Sequence, residues 1–225
     1  MIKVTPKQLR RIYFFTGVGL LLVFIFFSYL VAKELFNQFD FDTTVRFQDK
    51  IPHRLDDPFS ILSVLGSAEI SMSIWIILSL YLLIRRFWLT FFSMALLPFA
   101  LITEIFGKVY LYHPGPPYLF YRGTIDFDFP SHHIQTEYSY PSGHMLRTTF
   151  LSSFILFYFL LRGNKLAKLI SIPVTISFIS VMIISRIYLG EHWTTDVIGG
   201  LLIGVSCALL SASTLPLKKS QTEEV

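Results

Sequence analysis

Two short stretches of this 225-residue chain carry side chains suited to handling a phosphate. One is Tyr140-Pro141-Ser142-Gly143-His144. The other runs Ser185-Arg186-Ile187-Tyr188-Leu189-Gly190-Glu191-His192-Trp193-Thr194-Thr195-Asp196. Together they supply two imidazoles, a guanidinium, hydroxyls, a glycine amide and a carboxylate. His192 and Asp196 are four apart, so at the start of a helix they share one face. A carboxylate bonded to one imidazole nitrogen fixes the tautomer and leaves the other nitrogen free to attack. His192 is therefore the candidate nucleophile, forming a phosphohistidine. His144 is the candidate acid for the leaving oxygen and then the base for water. Arg186, Ser142 and the Gly143 amide are candidate holders of phosphoryl oxygens, since a backbone amide without a side chain approaches an anion closely. Each stretch alone has a plainer reading. Ser-Gly-His at a helix start is often only a cap, and His-x-x-x-Asp is often a surface pair. Their joint occurrence favours chemistry.

The elements that position these groups are apolar. The chain is 53% hydrophobic and 16% aromatic, and only 15% charged. A soluble domain usually holds about 25% charged residues. Six runs are long enough to be spanning helices: Ile12–Ala32, Ser60–Ile84, Phe87–Gly107, Leu146–Leu161, Leu169–Ile184 and Thr195–Ser213. The first is too long for a signal peptide and lacks a good cleavage site, so it reads as a retained helix. The expected fold is an all-α integral membrane protein. It is a six-transmembrane-helix bundle with its site at the outer helix ends. It forms a single domain over 1–225, with a motif core at about 60–210 and a disordered tail at about 216–225.

The connections alternate in charge. The N-terminus, the Arg85-Arg86 turn, Arg162–Lys168 and the Lys218-Lys219 tail hold eleven of the 19 Lys and Arg residues. The positive-inside rule places these segments, and both termini, in the cytoplasm. Lys33–Phe59, Lys108–Met145 and Ser185–Thr194 are then outside, and all six histidines fall there or at the adjoining helix junctions. The formal charge of +4 follows that membrane pattern and forms no nucleic-acid-binding stripe. Lys33–Phe59 reads either as an interfacial amphipathic helix, through Phe39, Phe41, Val45, Phe47 and Ile51, or as a solvated loop with buried anchors. Cys207 sits alone in an apolar run, which excludes an intrachain disulfide and makes it a small core residue.

At the outer ends, Lys108 closes the third span and Ser142, Gly143 and His144 open the fourth. Ser185 and Arg186 close the fifth, and His192 and Asp196 open the sixth. Arranged so, the residues resemble the type 2 phosphatidic acid phosphatase superfamily of lipid phosphatases. The family pattern is a lysine with an Arg-Pro element, then Pro-Ser-Gly-His. Ser-Arg follows, then five residues, His, three residues and Asp. The second element is complete at Pro141–His144, and the third at Ser185, Arg186, His192 and Asp196. The first is partial: Lys108 fits, but Tyr112-His113-Pro114-Gly115-Pro116 lacks the arginine.

The resemblance implies the same roles for His192, His144 and Asp196. It adds Lys108 to the phosphate holders. It implies hydrolysis of a lipid phosphate or diphosphate, such as a polyprenyl diphosphate, phosphatidylglycerol phosphate or phosphatidic acid, at the outer face of the bilayer. Two other functions fit the residues: a lipid phosphotransferase using the same intermediate, or a non-catalytic lipid-binding or transport protein. For the missing guanidinium, Arg147 is the first choice, three residues after His144 and on its helix face. Arg122 and a protonated His113 are the alternatives.

No metal or cofactor is expected, although His132, His133, Asp126, Asp128 and Glu137 hold ligand-type atoms. Glu69 and Glu104 are ionisable groups inside apolar runs, where such groups are costly and functional by default. Glu104 precedes Lys108 by one helical turn and is placed to pair with it.

Overall fold

The computed structural model describes residues 5–125, 129–130 and 136–217. Within them the regular structure is helical: α1 (Pro6–Ala32), α2 (Asn37–Lys50), α3 (Asp56–Val64), α4 (Ala68–Ile84), α5 (Trp88–Ser93), α6 (Leu96–Tyr110), α7 (Gly143–Arg162), α8 (Lys165–Tyr188) and α9 (Thr194–Ala212). Of the tail expected at about 216–225, residues 218–225 lie outside the described residues, as do Asp126, Asp128, His132 and His133.

Five helical stretches are long and apolar enough to cross a membrane: Lys7–Ala32, Trp88–Tyr110, Gly143–Arg162, Lys165–Tyr188 and Thr194–Ala212. A sixth span arises if α3 and α4, bent by 43°, are taken together. The multi-pass, all-helical architecture expected from the apolar runs is therefore present. The run Ser60–Ile84 is not one helix, however. The chain breaks at Leu65–Ser67, where Ser67 caps α4 by accepting from the Ile70 amide. The break frees the Gly66 carbonyl for a distant side chain, described below. The third span has a milder interruption between α5 and α6. Pro98 has no amide hydrogen for the Met94 carbonyl one turn earlier. The Trp75 indole donates to that carbonyl at 3.1 Å, which is how a proline is tolerated in a membrane helix.

Helix α9 is the centre of the bundle. It packs most extensively on α7 and α1 and also touches α2, α5, α6 and α8. Its small residues permit this approach. A Cβ at Gly200 would strike the Ser142 carbonyl, and one at Gly204 would strike Thr149. Cys207 is buried in this core, as expected. The faces of α1 and α8 turned outward carry Phe15, Leu22, Phe26, Leu169, Val174 and Ile176, all largely exposed in the isolated chain and suited to acyl chains.

Two arginines gather the basic connections at one end. Arg10 donates to the Ser213 carbonyl at 2.6 Å. Arg162 donates to the Pro216 carbonyl and lies over the Phe87 ring. The start of α1, the α4–α5 and α7–α8 turns and the end of α9 therefore share the end opposite His144 and His192.

The first outer segment contains helix α2, whose inward side is mixed: Phe47 packs on the core beside a polar stripe. Asp40, Thr44 and Gln48, four apart, form that stripe: Asp40 and Thr44 are buried, while Phe39 and Phe41 are about half exposed. The reason lies in its neighbours. The Gln48 amide donates to the carbonyls of Phe120 and Tyr188, at 2.7 and 2.9 Å. Helix ends present free backbone groups, and those need polar partners when buried.

Candidate active site

The turn between α8 and α9 sets the first half of the site. Gly190 takes φ +66° with the Phe120 carbonyl packed where a Cβ would stand, so only glycine fits without strain. The tight turn puts Arg186 in the last turn of α8 beside His192 just ahead of α9. Asp196, fully buried, then serves two purposes. Its Oδ2 accepts the Trp193 amide at 2.9 Å, capping α9, and meets His192 Nδ1 at 3.3 Å. An ionised carboxylate is acceptor-only, so Nδ1 carries the hydrogen and Nε2 keeps its lone pair.

The start of α7 supplies the second half. The Ser142 amide donates to the Asp196 carbonyl at 3.0 Å, tying the two helix starts together. Ser142 Oγ caps α7 by accepting from the Met145 amide at 3.4 Å, and its own hydrogen remains available. His144 and His192 face each other with ring centroids 6.4 Å apart. Gly143 is small for a reason the sequence did not reveal: a Cβ there would collide with the Glu104 carboxylate.

Four cations lie within electrostatic reach of His144: Arg186, Arg147, Lys108 and, when protonated, His192. Lys108 Nζ pairs with Glu104 Oε1 at 2.8 Å, the pairing expected from their spacing. Arg186 is fully buried, and its Nη1 pairs with Glu191. Its Nε and Nη2, and His144 Nε2, are buried and have no hydrogen-bond partner among the described residues. Unmet buried donors are costly, so such atoms mark where a ligand belongs. A cavity of about 590 Å³ is lined by both histidines and Glu191, together with Ser60, Ser63, Tyr118 and Tyr121.

The three candidates for the missing guanidinium each have partners within the protein. Arg122 donates to the Gln48 carbonyl at 3.1 Å and lies over the Tyr188 ring. His113 sits behind Asp196, away from the cavity. Arg147 is buried against the Gly66 carbonyl, 3.3 Å from Nε and 3.2 Å from Nη2, and against Glu104 Oε2 at 3.4 Å. Glu104 thus bridges Arg147 and Lys108. Glu69 also acts electrostatically on Arg147. Arg147→Met removes one cation from a buried cluster whose carboxylate still keeps Lys108. The expected loss is roughly 3 kcal/mol, the low end for a broken buried pair, read as a lowered unfolding midpoint in detergent. An unchanged midpoint would mean that Lys108 alone neutralises Glu104.

Three further positions touch the motif residues in ways that motif reading did not anticipate. Glu191 lies inside the Ser-Arg…His-x-x-x-Asp element and contacts its arginine. Asp40 accepts the Thr195 amide at 2.8 Å and its hydroxyl at 2.6 Å. Burial pushes the Asp40 carboxyl up, opposed by those two hydrogen bonds and by nearby His113. The available signal was the four-residue spacing of Asp40, Thr44 and Gln48, a polar stripe rather than an apolar one. His113 was considered only as a phosphate ligand.

With this geometry, comparison with known proteins is informative. The undecaprenyl-diphosphatase of Sulfolobus acidocaldarius is 38% identical over 89 residues, 37% of this chain and 38% of that relative. The match spans about two fifths of the relative's length. The crystal structure of the transmembrane PAP2-type phosphatidylglycerolphosphate phosphatase from Bacillus subtilis matches with a TM-score of 0.67 at 20% identity. That match covers 93% of this chain and 96% of the other, and is a likeness of fold. The family model described as the PAP2 superfamily matches residues 86–219, which include Lys108, Pro141–His144 and Ser185–Asp196. On that match, and on the meeting of those elements at one end of the bundle, the chain belongs to the PAP2 superfamily.

Proposed function

We propose that the protein is a membrane phosphatase that removes a terminal phosphate from a lipid phosphate or diphosphate through a phosphohistidine on His192. The observation that carries this reading is the fully buried Arg186, whose Nε and Nη2 lack partners beside the equally unpartnered His144 Nε2. A phosphoryl group placed there satisfies all three. His192 Nε2 attacks phosphorus, forming the P–N bond as the bond to the leaving oxygen breaks. His144 protonates that oxygen, then takes a proton from water, which attacks phosphorus and returns the bonding pair to His192. Arg186, Lys108, the Gly143 amide and the Ser142 hydroxyl balance the developing charge. Arg147 contributes charge from below rather than contact.

A polyprenyl diphosphate is the favoured substrate. The cavity of about 590 Å³ extends past the histidines to Ser60, Ser63 and two tyrosines, which suits a headgroup larger than one phosphate. The identity shared with the Sulfolobus diphosphatase points the same way. The site at helix ends lets the tail stay in the bilayer while the headgroup enters.

The test is phosphate release by purified protein from polyprenyl diphosphate, phosphatidylglycerol phosphate and phosphatidic acid, assayed side by side with and without chelator. Release in chelator, fastest with the diphosphate, is expected. Loss of activity in chelator with recovery on one metal would redirect the mechanism. No release from any of the three would leave a non-catalytic binding role.

The charge bias orients the site outward, with cytoplasmic termini. Tyr118, largely exposed at the site's end of the molecule, reports this. Tyr118→Cys, with Cys207→Ser, should react with an impermeant thiol reagent on intact cells. Reaction only after permeabilisation would invert the topology.

A further inference from the structure

Behind Asp196, on the side away from the cavity, lies a second imidazole and carboxylate that the phosphoryl chemistry above does not use. His113, Thr195 and Asp40 are all buried there. They come from the loop after α6, the first turn of α9 and the face of α2. His113 Nε2 is 3.1 Å from Thr195 Oγ1, 3.4 Å from Asp196 Oδ1 and 3.8 Å from Asp40 Oδ2.

The hydrogen positions follow by elimination. The Thr195 hydroxyl donates to Asp40 Oδ2 at 2.6 Å, and its amide donates to Asp40 Oδ1 at 2.8 Å. The threonine oxygen is then only an acceptor toward His113. The two aspartate oxygens are acceptors as well. Every polar atom around His113 Nε2 therefore accepts, and Nε2 bears the hydrogen. That hydrogen lies between Thr195 Oγ1 and Asp196 Oδ1. The latter is buried and has no hydrogen bond in the present geometry among the described residues. His113 Nε2 lies 3.4 Å from it.

The imidazole is itself held firmly. The Ser139 amide and hydroxyl donate to the His113 carbonyl at 3.0 and 3.1 Å. The ring stands edge-on to Tyr140, with centroids 6.2 Å apart. Tyr140 in turn shares a hydrogen bond with Ser28 of α1 at 2.8 Å.

We propose that His113 and Asp40 are positioning residues, a second imidazole–carboxylate pair that steadies the Oδ1 side of Asp196 so that its Oδ2 side presents His192 to phosphorus. This rests on the reading of His192 as nucleophile. Asp196 carries opposite demands on its two oxygens. Oδ2 must hold Nδ1 of His192 while that ring gains charge in the attack. Oδ1 is buried within electrostatic reach of a second carboxylate, Asp40, and a facing imidazole N–H offsets that like charge. His113 Nε2 stands 3.4 Å from Asp196 Oδ1 and 3.8 Å from Asp40 Oδ2, an electrostatic contact with both carboxylates while its hydrogen bond goes to Thr195. Asp40 acts one step further back, by fixing Thr195 and with it the first turn of α9. Partners in this outer position typically affect activity 10- to 100-fold in orienting histidine ligands of metals, and a comparable factor applies to an oriented nucleophile.

The experiment compares His113→Leu with His113→Gln in purified protein, using a polyprenyl diphosphate in mixed micelles. The glutamine amide nitrogen reaches about where Nε2 stands, whereas leucine fills space without a donor. His113→Leu should lower kcat about 10- to 100-fold with KM within about twofold, because the contact acts on the nucleophile and not on the headgroup. His113→Gln should recover to within about fivefold. In an Asp196→Asn background, His113→Leu should add less than about a twofold further loss, since the contact it removes is already broken. Should the leucine protein fail to fold, His113→Asn replaces it: its amide falls short of Oδ1, and it should be slower than His113→Gln. Wild-type kcat in His113→Leu, equal damage in the glutamine and asparagine proteins, or an undiminished effect in the Asp196→Asn background would each overturn the assignment. Acid-labile labelling from substrate separates this failure from that of the mechanism. A wild-type protein that turns over without any label at His192 removes the phosphohistidine reading itself.

Discussion

His192→Ala is expected to reduce turnover by about four orders of magnitude or more, the usual consequence of removing a nucleophile that works as one unit with its neighbours. The substitution removes the Nε2 lone pair that Asp196 orients through Nδ1 at 3.3 Å. It leaves the Asp196–Trp193 cap of α9 intact at 2.9 Å, so the helix start should persist and the protein should remain folded. Two measurements check this together. Phosphate release from a polyprenyl diphosphate should vanish, and so should the acid-labile radioactive label that wild-type protein acquires from substrate. His144→Ala should behave differently. It still permits attack but supplies no base for water, so the label should form slowly and then persist. An active His192→Ala enzyme would rule out the phosphohistidine.

Arg186→Ala is the second large effect. The guanidinium is fully buried, with one nitrogen on Glu191 and two without partners. Losing one charged donor to the transition state costs roughly 2–4 kcal/mol, or about 30- to 1,000-fold in rate. With two donors removed, the upper end is expected. Arg186→Lys restores the charge but not the planar fork that matches two phosphoryl oxygens. It should recover only part of the loss, staying about 10- to 100-fold below wild type. Both variants are read as kcat/KM on the same lipid, with an unfolding midpoint in detergent as the control. A lysine protein with the wild-type rate would show that a point charge is enough, and that the unpartnered nitrogens do not hold the phosphate.

Much of this site was legible before any tertiary structure. The Lys108–Glu104 pair followed from one helical turn of spacing. The His192–Asp196 contact followed from the four-residue rule at a helix start. Both depend on backbone geometry within a single element, which repeats regardless of what packs against it. Span locations were legible for a similar reason. The bilayer demands about 20 apolar residues in a row, and that demand is written locally. The shared end for the four motif-bearing helix termini followed from counting spans and basic turns.

The tertiary structure decided which buried charges meet. Asp40 and Thr195 lie 155 residues apart in sequence, and Arg147 reaches the Gly66 carbonyl across 81. Neither pairing leaves a periodic trace, because each is chosen by what else is within a few ångströms after the helices pack. The break at Leu65–Ser67 has the same origin. An uninterrupted apolar run reads as one helix, yet the Gly66 carbonyl leaves the helical ladder to accept from Arg147. Helix α2 was ambiguous because its inward side mixes Phe47 with a polar stripe, and an amphipathic pattern does not say which residues turn inward. Sequence alone located the motif residues, the five apolar helices that can cross a membrane and the end at which the motifs gather. Only packing determined how Arg147 is held, that Glu104 joins two cations, and that His113 and Asp40 stand behind Asp196. Buried charges settle on partners through distance and desolvation in three dimensions, and those quantities exist only once the chain has folded.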